Sequence, residues 1–349
     1  MPNEFNEELD DWYLENLVCP RDHEMLRLEN GALTCKHGHH YPIISGIPIM
    51  LLDDVTATLH VMQGSIDASG QAEKANDDGL YLETLGVDAD QRVAILESAR
   101  KSDLPVDPVV NYLVSHTNGL MYKHLVGKLQ NYPIPEIDLP PGEGKKLLDI
   151  GCSWGRWCMA AGRKGYRPVG IDPSLGAVLA ARRVARKLGV EARFVVGDAR
   201  FLPFKKNAFD TVYSYSVIQH FSLEDADKAI KEAGRVLASP GFCHIQLANA
   251  FGIRSLQHQC KRGFRKAEGF EVRYWRPKRM QRVFSECVGK TELKADCFFG
   301  LGLQPADSEF MPQWKKVILN TSELLKKISH PIHPLVLVAD SIFVSGWKT

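Results

Sequence analysis

The chain has little of what marks a secreted or membrane-spanning protein. Its 349 residues include only eight cysteines, too few for a disulfide framework at this length. Its longest apolar runs, such as residues 47–52, fall far short of the ~20 residues that a membrane span needs. Acidic residues stand where a signal peptide needs positive charge: Glu4, Glu7, Glu8, Asp10 and Asp11. We therefore expect a cytoplasmic protein with no membrane partner.

An excess of charge of one sign is also absent. Lysine and arginine number 43 against 42 acidic residues, which gives a formal net charge of +1. The overall charge therefore indicates neither a nucleic acid nor a membrane surface, and any such partner must be bound by a local patch. Hydrophobic residues make up 44% of the chain and charged residues 24%, which is an ordinary globular composition.

The order of patterns along the chain predicts a small module followed by a large α/β domain. We predict a Cys/His-containing module over residues 1–55, a helical linker and cap region over 56–140, and the large domain over 141–349, with a basic insertion around 255–285. In the large domain apolar runs alternate with helical patterns, which is typical of βαβ units and a parallel sheet. The predicted strands cover residues 146–150, 168–171, 192–196, 210–214 and 242–247. Two further strands are predicted over 290–299 and 335–344, and a long helical pattern predicts a helix from Leu175 to Leu188.

A glycine-containing turn joins the first of these strands to a helix: Asp149-Ile-Gly-Cys-Ser-Trp-Gly155. Small residues in such a turn let a ligand approach the backbone, and the N-terminus of the next helix attracts a carboxylate. At the tip of the second strand, Asp172 can accept hydrogen bonds from both hydroxyls of a ribose. A dinucleotide site and a purely structural turn remain alternatives at this point.

Further motifs follow in a fixed order: VVGDARFLPF at 195–204, FDTVYSYSVIQHF at 209–221 and RVLASPGF at 235–242. Together with LLDIGCSWGRW and VGIDPS, they resemble class I S-adenosylmethionine-dependent methyltransferases, in the type 11-like family that includes quinone-biosynthesis enzymes. The resemblance covers residues 146–250 and implies a Rossmann-like α/β fold with a seven-stranded sheet. Ser153 and Phe242 replace glycines of the family pattern. Serine keeps the geometry of the loop if its φ is not strongly positive.

The resemblance also implies roles for individual residues. Those implied to line the methionine part of S-adenosylmethionine are Asp149, Gly151, Ser153 and Gly155. Asp172 is implied to hold the ribose, and Asp198 with Ala199 to contact the adenine amino group. Ser214 and Tyr215 would face the methionine and the methyl group. The predicted catalytic residues are Tyr215, Gln219 and His220. His220 is a candidate general base, with a helix-capping or packing role as the alternative.

The N-terminal module contains two cysteine-bearing segments separated by a hairpin-like stretch, which is how zinc ribbons are built. The segments are Cys19-Pro-Arg-Asp22-His23 and Cys35-Lys-His-Gly-His39. They resemble the ribbon that activates tRNA methyltransferases and the leader of certain bacterial ribosomal RNA guanine methyltransferases. The predicted ligands of a structural zinc ion are Cys19, Asp22, Cys35 and His39. Asp22 stands where the resembling ribbons have a cysteine, so a ribbon that folds without metal is the alternative.

A basic segment follows the fifth strand. Residues 261–282 contain nine lysines and arginines, interleaved with Phe264, Phe270, Tyr274 and Trp275. This segment could bind an anionic methyl acceptor or RNA, or it could form a solvated face. We favour a methyltransferase that acts on a small or medium-sized acceptor over an RNA methyltransferase. A cofactor-binding scaffold or regulator without catalysis is the third hypothesis. An oxygen acceptor would need a base such as His220, whereas a nitrogen acceptor need not.

Overall fold

One mixed sheet of eleven strands forms the centre of the molecule. The computed structural model describes residues 9–57, 60–70, 79–101, 104–117, 120–300, 302 and 304–349. The strands are β1 (Leu26–Glu29), β2 (Ala32–Cys35), β3 (His40–Ile44), β4 (Ile47–Met50), β5 (Lys146–Ile150), β6 (Arg167–Asp172), β7 (Arg193–Gly197), β8 (Phe209–Tyr215), β9 (Leu237–Ala248), β10 (Lys290–Cys297) and β11 (Ser341–Lys348). Their spatial order is β1-β2-β3-β4-β7-β6-β5-β8-β9-β11-β10.

The five strands β5 to β9 are those that the sequence predicted for the core of the large domain. They lie parallel to one another, so their carboxyl ends meet at one edge of the sheet. Their side chains are almost all buried, as expected for parallel strands covered on both faces. The Rossmann-like α/β prediction is therefore confirmed.

The sheet has eleven strands where the resemblance implied seven. The additional strands are β1 to β4 of the N-terminal module, which pair with one another in antiparallel order. β4 then pairs in parallel with β7, with Ile49 opposite Val196 and Met50 opposite Gly197. All four residues of β4 are buried, because this strand covers an edge of β7 that would otherwise be open. The N-terminal module is thus an extension of the central sheet.

The end of the chain differs in detail from the sequence prediction. Residues His333–Val338 form a 3₁₀-helix, and β11 begins only at Ser341, six residues after the predicted start at 335. The apolar residues 335–338 therefore belong to this 3₁₀-helix and not to the strand. β11 lies antiparallel between β9 and β10, the antiparallel orientation predicted for the last strand.

Ten α-helices accompany the sheet in the described part of the chain. They are α1 (Asp11–Asn16), α2 (His60–Gly70), α3 (Ala89–Ala99), α4 (Pro108–Thr117), α5 (Arg156–Arg163), α6 (Leu175–Leu188), α7 (Leu223–Val236), α8 (Ile253–Lys261), α9 (Pro277–Cys287) and α10 (Gln313–Ser329). α6 has the bounds that its pattern predicted, because Ser174 caps its first turn and Gly189 ends it in the left-handed conformation. None of these helices combines the length and the apolar character that crossing a bilayer requires.

Apolar side chains form two cores, one on each face of the sheet. One core includes residues of α4, α5 and α6, and the other includes residues of α7, α9 and the N-terminal module. Both cores leave the carboxyl edge of the parallel strands to loops. Candidate site residues are therefore expected at that edge, as in other open α/β sheets.

Candidate functional site

The turn after β5 adopts the left-handed backbone conformation at three alternate positions. The φ angles are +75° at Gly151, +47° at Ser153 and +80° at Gly155. The loop geometry was expected only if the φ angle of Ser153 was not strongly positive, and that condition is not met. This serine therefore occupies a conformation that favours glycine. A Cβ atom on Gly151 would lie 2.3 Å from Cγ2 of Val217. The small residue at 151 thus makes room for the segment after β8, and not only for a ligand.

Asp172 lies directly beside this turn. The backbone N–H of Ser153 donates to Oδ2 of Asp172 (2.9 Å), and that of Ser174 donates to Oδ1 (3.0 Å). Burial raises the pKa of this carboxyl to about 6. Each oxygen retains a lone pair, because a carboxylate has about four acceptor positions. The fixed carboxylate is suited to accept two neighbouring hydroxyls, so the structure brings together two motifs that the sequence holds apart.

Two of the residues implied to contact the cofactor lie beneath the turn. Asp149 is buried and accepts a hydrogen bond from Sγ of Cys158 (3.4 Å). Burial raises the pKa of Asp149 to about 7. Ser214 is also buried, and its hydroxyl donates to the carbonyl of Ile150 (2.8 Å). Both side chains therefore support the backbone of the turn.

Asp198 is buried at the end of β7 and is held by an arginine that the sequence analysis did not select. Arg200 donates from Nη2 (2.6 Å) and Nε (2.9 Å) to Oδ2 of Asp198. The same guanidinium also binds Asp225 and the carbonyl of Thr56. The carboxylate implied to contact adenine is thus already paired, and Ala199 is buried beside it. An adenine contact would have to use the remaining lone pairs of Asp198.

The side chains of the three predicted catalytic residues make hydrogen bonds to different partners. Gln219 is buried, and its Nε2 donates to the hydroxyl of Ser216 (3.2 Å). The ring of His220 stacks on Phe270 at 3.9 Å, and its Nδ1 bonds to the Phe270 carbonyl (2.8 Å). A carbonyl only accepts, so Nδ1 carries the proton and Nε2 is the basic nitrogen. Burial lowers the pKa of His220 to about 4, which keeps the ring neutral at pH 7.

Tyr215, the third of these residues, belongs to a buried polar cluster. Its hydroxyl donates to Oδ2 of Asp296 (2.8 Å) and accepts from Nε2 of Gln304 (2.8 Å). The hydroxyl of Ser341 donates to the same oxygen of Asp296 (2.7 Å). The sequence analysis did not select Asp296, Gln304 or Ser341. Their positions gave no signal, because they come from loops and strands 81 and more residues away from Tyr215.

The basic segment lies over His220, and most arginines of this segment make hydrogen bonds to other groups of the protein. Arg265 makes two hydrogen bonds of 2.7 Å to Glu271, and Arg279 makes two of 2.7 Å to Asp227. Arg273 donates to the carbonyl of His220 (2.7 Å), and Arg262 donates to that of Val272 (3.2 Å). Most of these guanidinium groups hold the segment in place and are not free for an anionic partner.

Residues 147–241 match the family whose description is "Methyltransferase domain". This segment is therefore similar to methyltransferase domains. It is 34% identical over 145 residues to the ajmaline N-methyltransferase of Rauvolfia serpentina, a match that covers 40% of this chain and 49% of that protein. It is 30% identical over 111 residues to a ubiquinone biosynthesis O-methyltransferase of Azorhizobium caulinodans, covering 32% and 43%. The matches thus span less than half the length of these relatives.

Among solved structures, an S-adenosylmethionine-dependent methyltransferase of Methanosarcina mazei is 19% identical to this chain. It covers 61% of this chain and 99% of its own, with a TM-score of 0.43.

A buried salt bridge ties the methyltransferase domain to its surrounding loops. Arg156, the first residue of α5, donates to Oδ1 (2.7 Å) and Oδ2 (2.9 Å) of Asp307. Its Nε donates to the carbonyl of Pro133 (2.7 Å), and the hydroxyl of Tyr122 donates to Asp307. Tyr122 and Asp307 lie in the 3₁₀-helices Leu120–Leu125 and Pro305–Phe310. The sequence shows Arg156 beside Gly155 but gives no sign of its partner.

The four predicted metal ligands of the N-terminal module converge outside the methyltransferase domain. One possible ligand atom from each of Cys19, Asp22, Cys35 and His39 lies within 4.8 Å of all the others. Nδ1 of His39 is 3.4 Å from Sγ of Cys19 and 3.3 Å from Sγ of Cys35. Tetrahedral zinc with ordinary bond lengths separates its ligand atoms by about 3.3–3.8 Å. The donor set and its spacing therefore fit zinc.

One further residue, His37, supports this cluster. Its Nδ1 lies 2.8 Å from Oδ2 of Asp22, in the position of a group that orients a ligand. The hydroxyl of Tyr41 lies 3.1 Å from Sγ of Cys19. A hydrogen bond there would stabilise a thiolate.

Proposed function

We propose that this protein binds S-adenosylmethionine and transfers its methyl group to a small or medium-sized acceptor. The observation that carries the proposal is the pairing of the turn with Asp172, inside a segment that matches the methyltransferase domain family. S-adenosylmethionine supplies a methyl group on a sulfonium sulfur, which is already a strong electrophile. The protein then needs to bind the reactants, align them and exclude water.

The residues that would hold the cofactor follow from their places at the sheet edge. The turn, with Gly151, Ser153 and Gly155, would accommodate the methionine part, supported from below by Asp149 and Ser214. Asp172 would accept the ribose hydroxyls. Asp198 and Ala199 would border the adenine, with Asp198 held in place by Arg200. Tyr215, Gln219 and His220 would form the wall of the acceptor site.

Calorimetry with S-adenosylhomocysteine tests the cofactor proposal. We expect wild-type protein to bind it and Asp172→Ala to bind about 10- to 100-fold more weakly, because hydrogen bonds to a charged group contribute about 1.5–3 kcal/mol. Asp210→Ala is the matched control: Asp210 accepts a hydrogen bond from the N–H of Lys146 at the opposite edge of the sheet. The proposal is wrong if NAD binds and the adenosyl compound does not.

The hydrogen bonds of the basic segment support a small acceptor over RNA. Four of its six arginines make hydrogen bonds within the protein, which leaves fewer cations for phosphates, and an RNA partner would need many. The names of two relatives also refer to small molecules: ajmaline in one, and the biosynthesis of ubiquinone in the other. Mass spectrometry of methyl groups transferred to metabolite and RNA pools would identify the acceptor class. A scaffold without catalysis would bind the cofactor and methylate neither pool.

Salt dependence separates RNA from a small acceptor more directly. Exposed lysines of the basic segment can be removed without disturbing its internal pairs: Lys261, Lys266 and Lys278. We expect weak binding to bulk RNA, and little effect of replacing all three lysines by alanine. Tight binding that falls steeply between low and physiological salt, and is abolished by the triple change, would establish the RNA alternative.

For the N-terminal module we propose a structural zinc ion held by Cys19, Asp22, Cys35 and His39. Elemental analysis of protein prepared without chelators should find about one zinc per chain. Cys35→Ser should lower this content, whereas Cys260→Ser, which changes an exposed cysteine of α8, should not. Wild-type protein without metal would show that the ribbon folds unaided.

A further inference from the structure

Four strands bring polar side chains to one place at the carboxyl edge of the sheet. Tyr215 ends β8, Gln246 lies near the end of β9, Asp296 lies near the end of β10, and Ser341 begins β11. All four come from strands that neighbour one another in the order β8-β9-β11-β10. The cluster therefore occupies the part of the edge next to the proposed cofactor turn.

Asp296 is a buried carboxylate without a cationic partner. Only 3% of its surface is exposed, and among the residues that the structure describes no lysine or arginine forms an ion pair with it. Its Oδ2 accepts from the hydroxyls of Tyr215 and Ser341, whereas its Oδ1 accepts no hydrogen bond from the described residues. A buried carboxylate costs free energy unless it is paired, so a ligand that carries a positive charge would offset that cost.

Gln246 provides a second unsatisfied group at the same place. Its side chain is fully buried and faces Asp296. Its Oε1 accepts from the backbone N–H of Ser216 (2.9 Å), but its Nε2 makes no hydrogen bond of normal geometry. Buried donors are nearly always paired in folded proteins. This donor faces the carboxylate of Asp296, so the amide forms part of the site around that carboxylate.

Aromatic rings border the cluster on the side of the cofactor turn. The ring of Tyr215 lies 4.5 Å from that of Trp157 and 5.7 Å from that of Phe343. Trp157 belongs to the first turn of α5, directly after the cofactor turn. Aromatic faces attract cations, most strongly where water is excluded. The surroundings of Asp296 therefore favour a positively charged group over a negative one.

We propose that Asp296 binds the nitrogen of a basic amine, with Tyr215 and Gln246 beside it, so that the methyl acceptor is an amine. This inference rests on the proposed methyltransferase function. Asp296 takes one N–H proton from the ammonium group. The freed nitrogen lone pair forms the new C–N bond while the C–S bond breaks, and its electron pair stays on sulfur.

The protonation behaviour of Asp296 agrees with that role. Burial raises its pKa, whereas the charge of Lys326, the hydrogen bonds from Ser341 and Tyr215 and the amide of Gln246 lower its pKa. A carboxylate whose proton affinity is raised is a better proton acceptor at neutral pH. A phenol acceptor, in contrast, would bring developing negative charge towards a buried carboxylate.

The test is calorimetry in the presence of saturating S-adenosylhomocysteine, with a panel of probes that differ in charge. Phenethylamine, N-methylphenethylamine and tryptamine represent the amines; p-cresol and 3-phenylpropionate are the neutral and anionic controls. We expect at least one amine to bind, and neither control. Asp296→Asn should weaken amine binding about 10- to 100-fold. Glu292→Gln, an exposed acid on the same strand, should leave it unchanged.

A folding control and a second variant distinguish the loss of the amine site from the loss of the fold. Circular dichroism and binding of S-adenosylhomocysteine report whether Asp296→Asn is folded. Ser341→Ala removes one hydrogen bond to the carboxylate of Asp296 and should weaken amine binding several-fold. Failure of wild-type protein to bind S-adenosylhomocysteine would count against the proposed function itself. Normal binding of that compound, with no amine bound or with amine affinity unchanged in both variants, would overturn the amine proposal. So would methyl transfer to p-cresol that depends on His220.

Discussion

The two halves of the candidate site are built by different means. The cofactor half, residues 149–172, uses backbone groups from one continuous stretch: a turn with three left-handed residues and two N–H groups that hold Asp172. The acceptor half uses side chains of Tyr215, Gln246, Asp296 and Ser341, which come from four separate strands. Many sequences can adopt the same backbone geometry, whereas the side chains of the acceptor half are particular to this sequence. This difference explains why the cofactor half resembles a large family, while the acceptor half resembles no site whose substrate could be inferred.

The largest expected effect comes from breaking the buried salt bridge between Arg156, in the cofactor half, and Asp307. Arg156→Ala leaves the carboxylate of Asp307 buried without its partner, so we expect the free energy of unfolding to fall by about 3–5 kcal/mol. Urea denaturation measures this loss. The double variant Arg156→Met with Asp307→Leu should recover much of it, because an apolar pair leaves no buried charge. A loss below about 1 kcal/mol for the single variant would show that this salt bridge does not stabilise the fold.

A smaller effect is expected from His244, on the β9 side of the acceptor half. His244 is buried against Phe343, its Nε2 has no hydrogen-bond partner among the described residues, and burial lowers its pKa to about 3. Below pH 6.5 the unfolded chain therefore takes up a proton that the folded protein excludes, and stability is lost as the pH falls towards 3. His244→Phe removes this contribution. Between pH 7 and 4.5 wild-type protein should lose about 2 kcal/mol more than the variant, measured by urea denaturation.

Equal losses in both proteins would indicate that His244 is protonated in the folded state. At pH 7 the variant also loses the hydrogen bond between Nδ1 of His244 and the buried hydroxyl of Ser345 (3.0 Å), so we expect its stability there to be about 1–3 kcal/mol lower; the test compares how each protein changes with pH.

The smallest expected effect is in the cofactor half, where backbone conformation matters more than side-chain identity. Ser153→Gly relieves the left-handed strain at 153 but increases the freedom of the unfolded chain, so we expect a net gain of about 0.5–1 kcal/mol. The affinity for S-adenosylhomocysteine should stay within about twofold. Thermal unfolding and calorimetry measure the two quantities, with Ser153→Ala as the control that keeps the strain. Weaker cofactor binding in both variants would instead indicate that the serine hydroxyl contacts the cofactor.

Local patterns were sufficient for the centre of the fold and for the cofactor half. β5 and α6 have the predicted bounds because their apolar spacing, cap and terminating glycine lie within the elements themselves. The start of β11 was misplaced because an apolar run does not distinguish a strand from a 3₁₀-helix. The strand count was wrong because the pairing of β4 with β7 depends on which edges the rest of the sheet leaves open.

The acceptor half and the salt bridge lay beyond any local pattern. Arg156 and Asp307 are 151 residues apart, and Tyr215 and Asp296 are 81 apart. In β10, Asp296 follows Lys290, Glu292 and Lys294 at alternate positions, so alternation alone places it on a charged, exposed face. Only the packing of the end of that strand buries the carboxylate.

The pairing of β4 with β7 has a consequence for the behaviour of the protein in solution. β7 is buried from Phe194 to Gly197 and, without β4, it would present unpaired N–H and C=O groups at the end of a parallel sheet. Such an edge is a template on which other chains can add strands. The N-terminal module therefore protects this edge of the sheet from pairing with other chains. Deleting the module should produce aggregates rather than a smaller, independently folded domain.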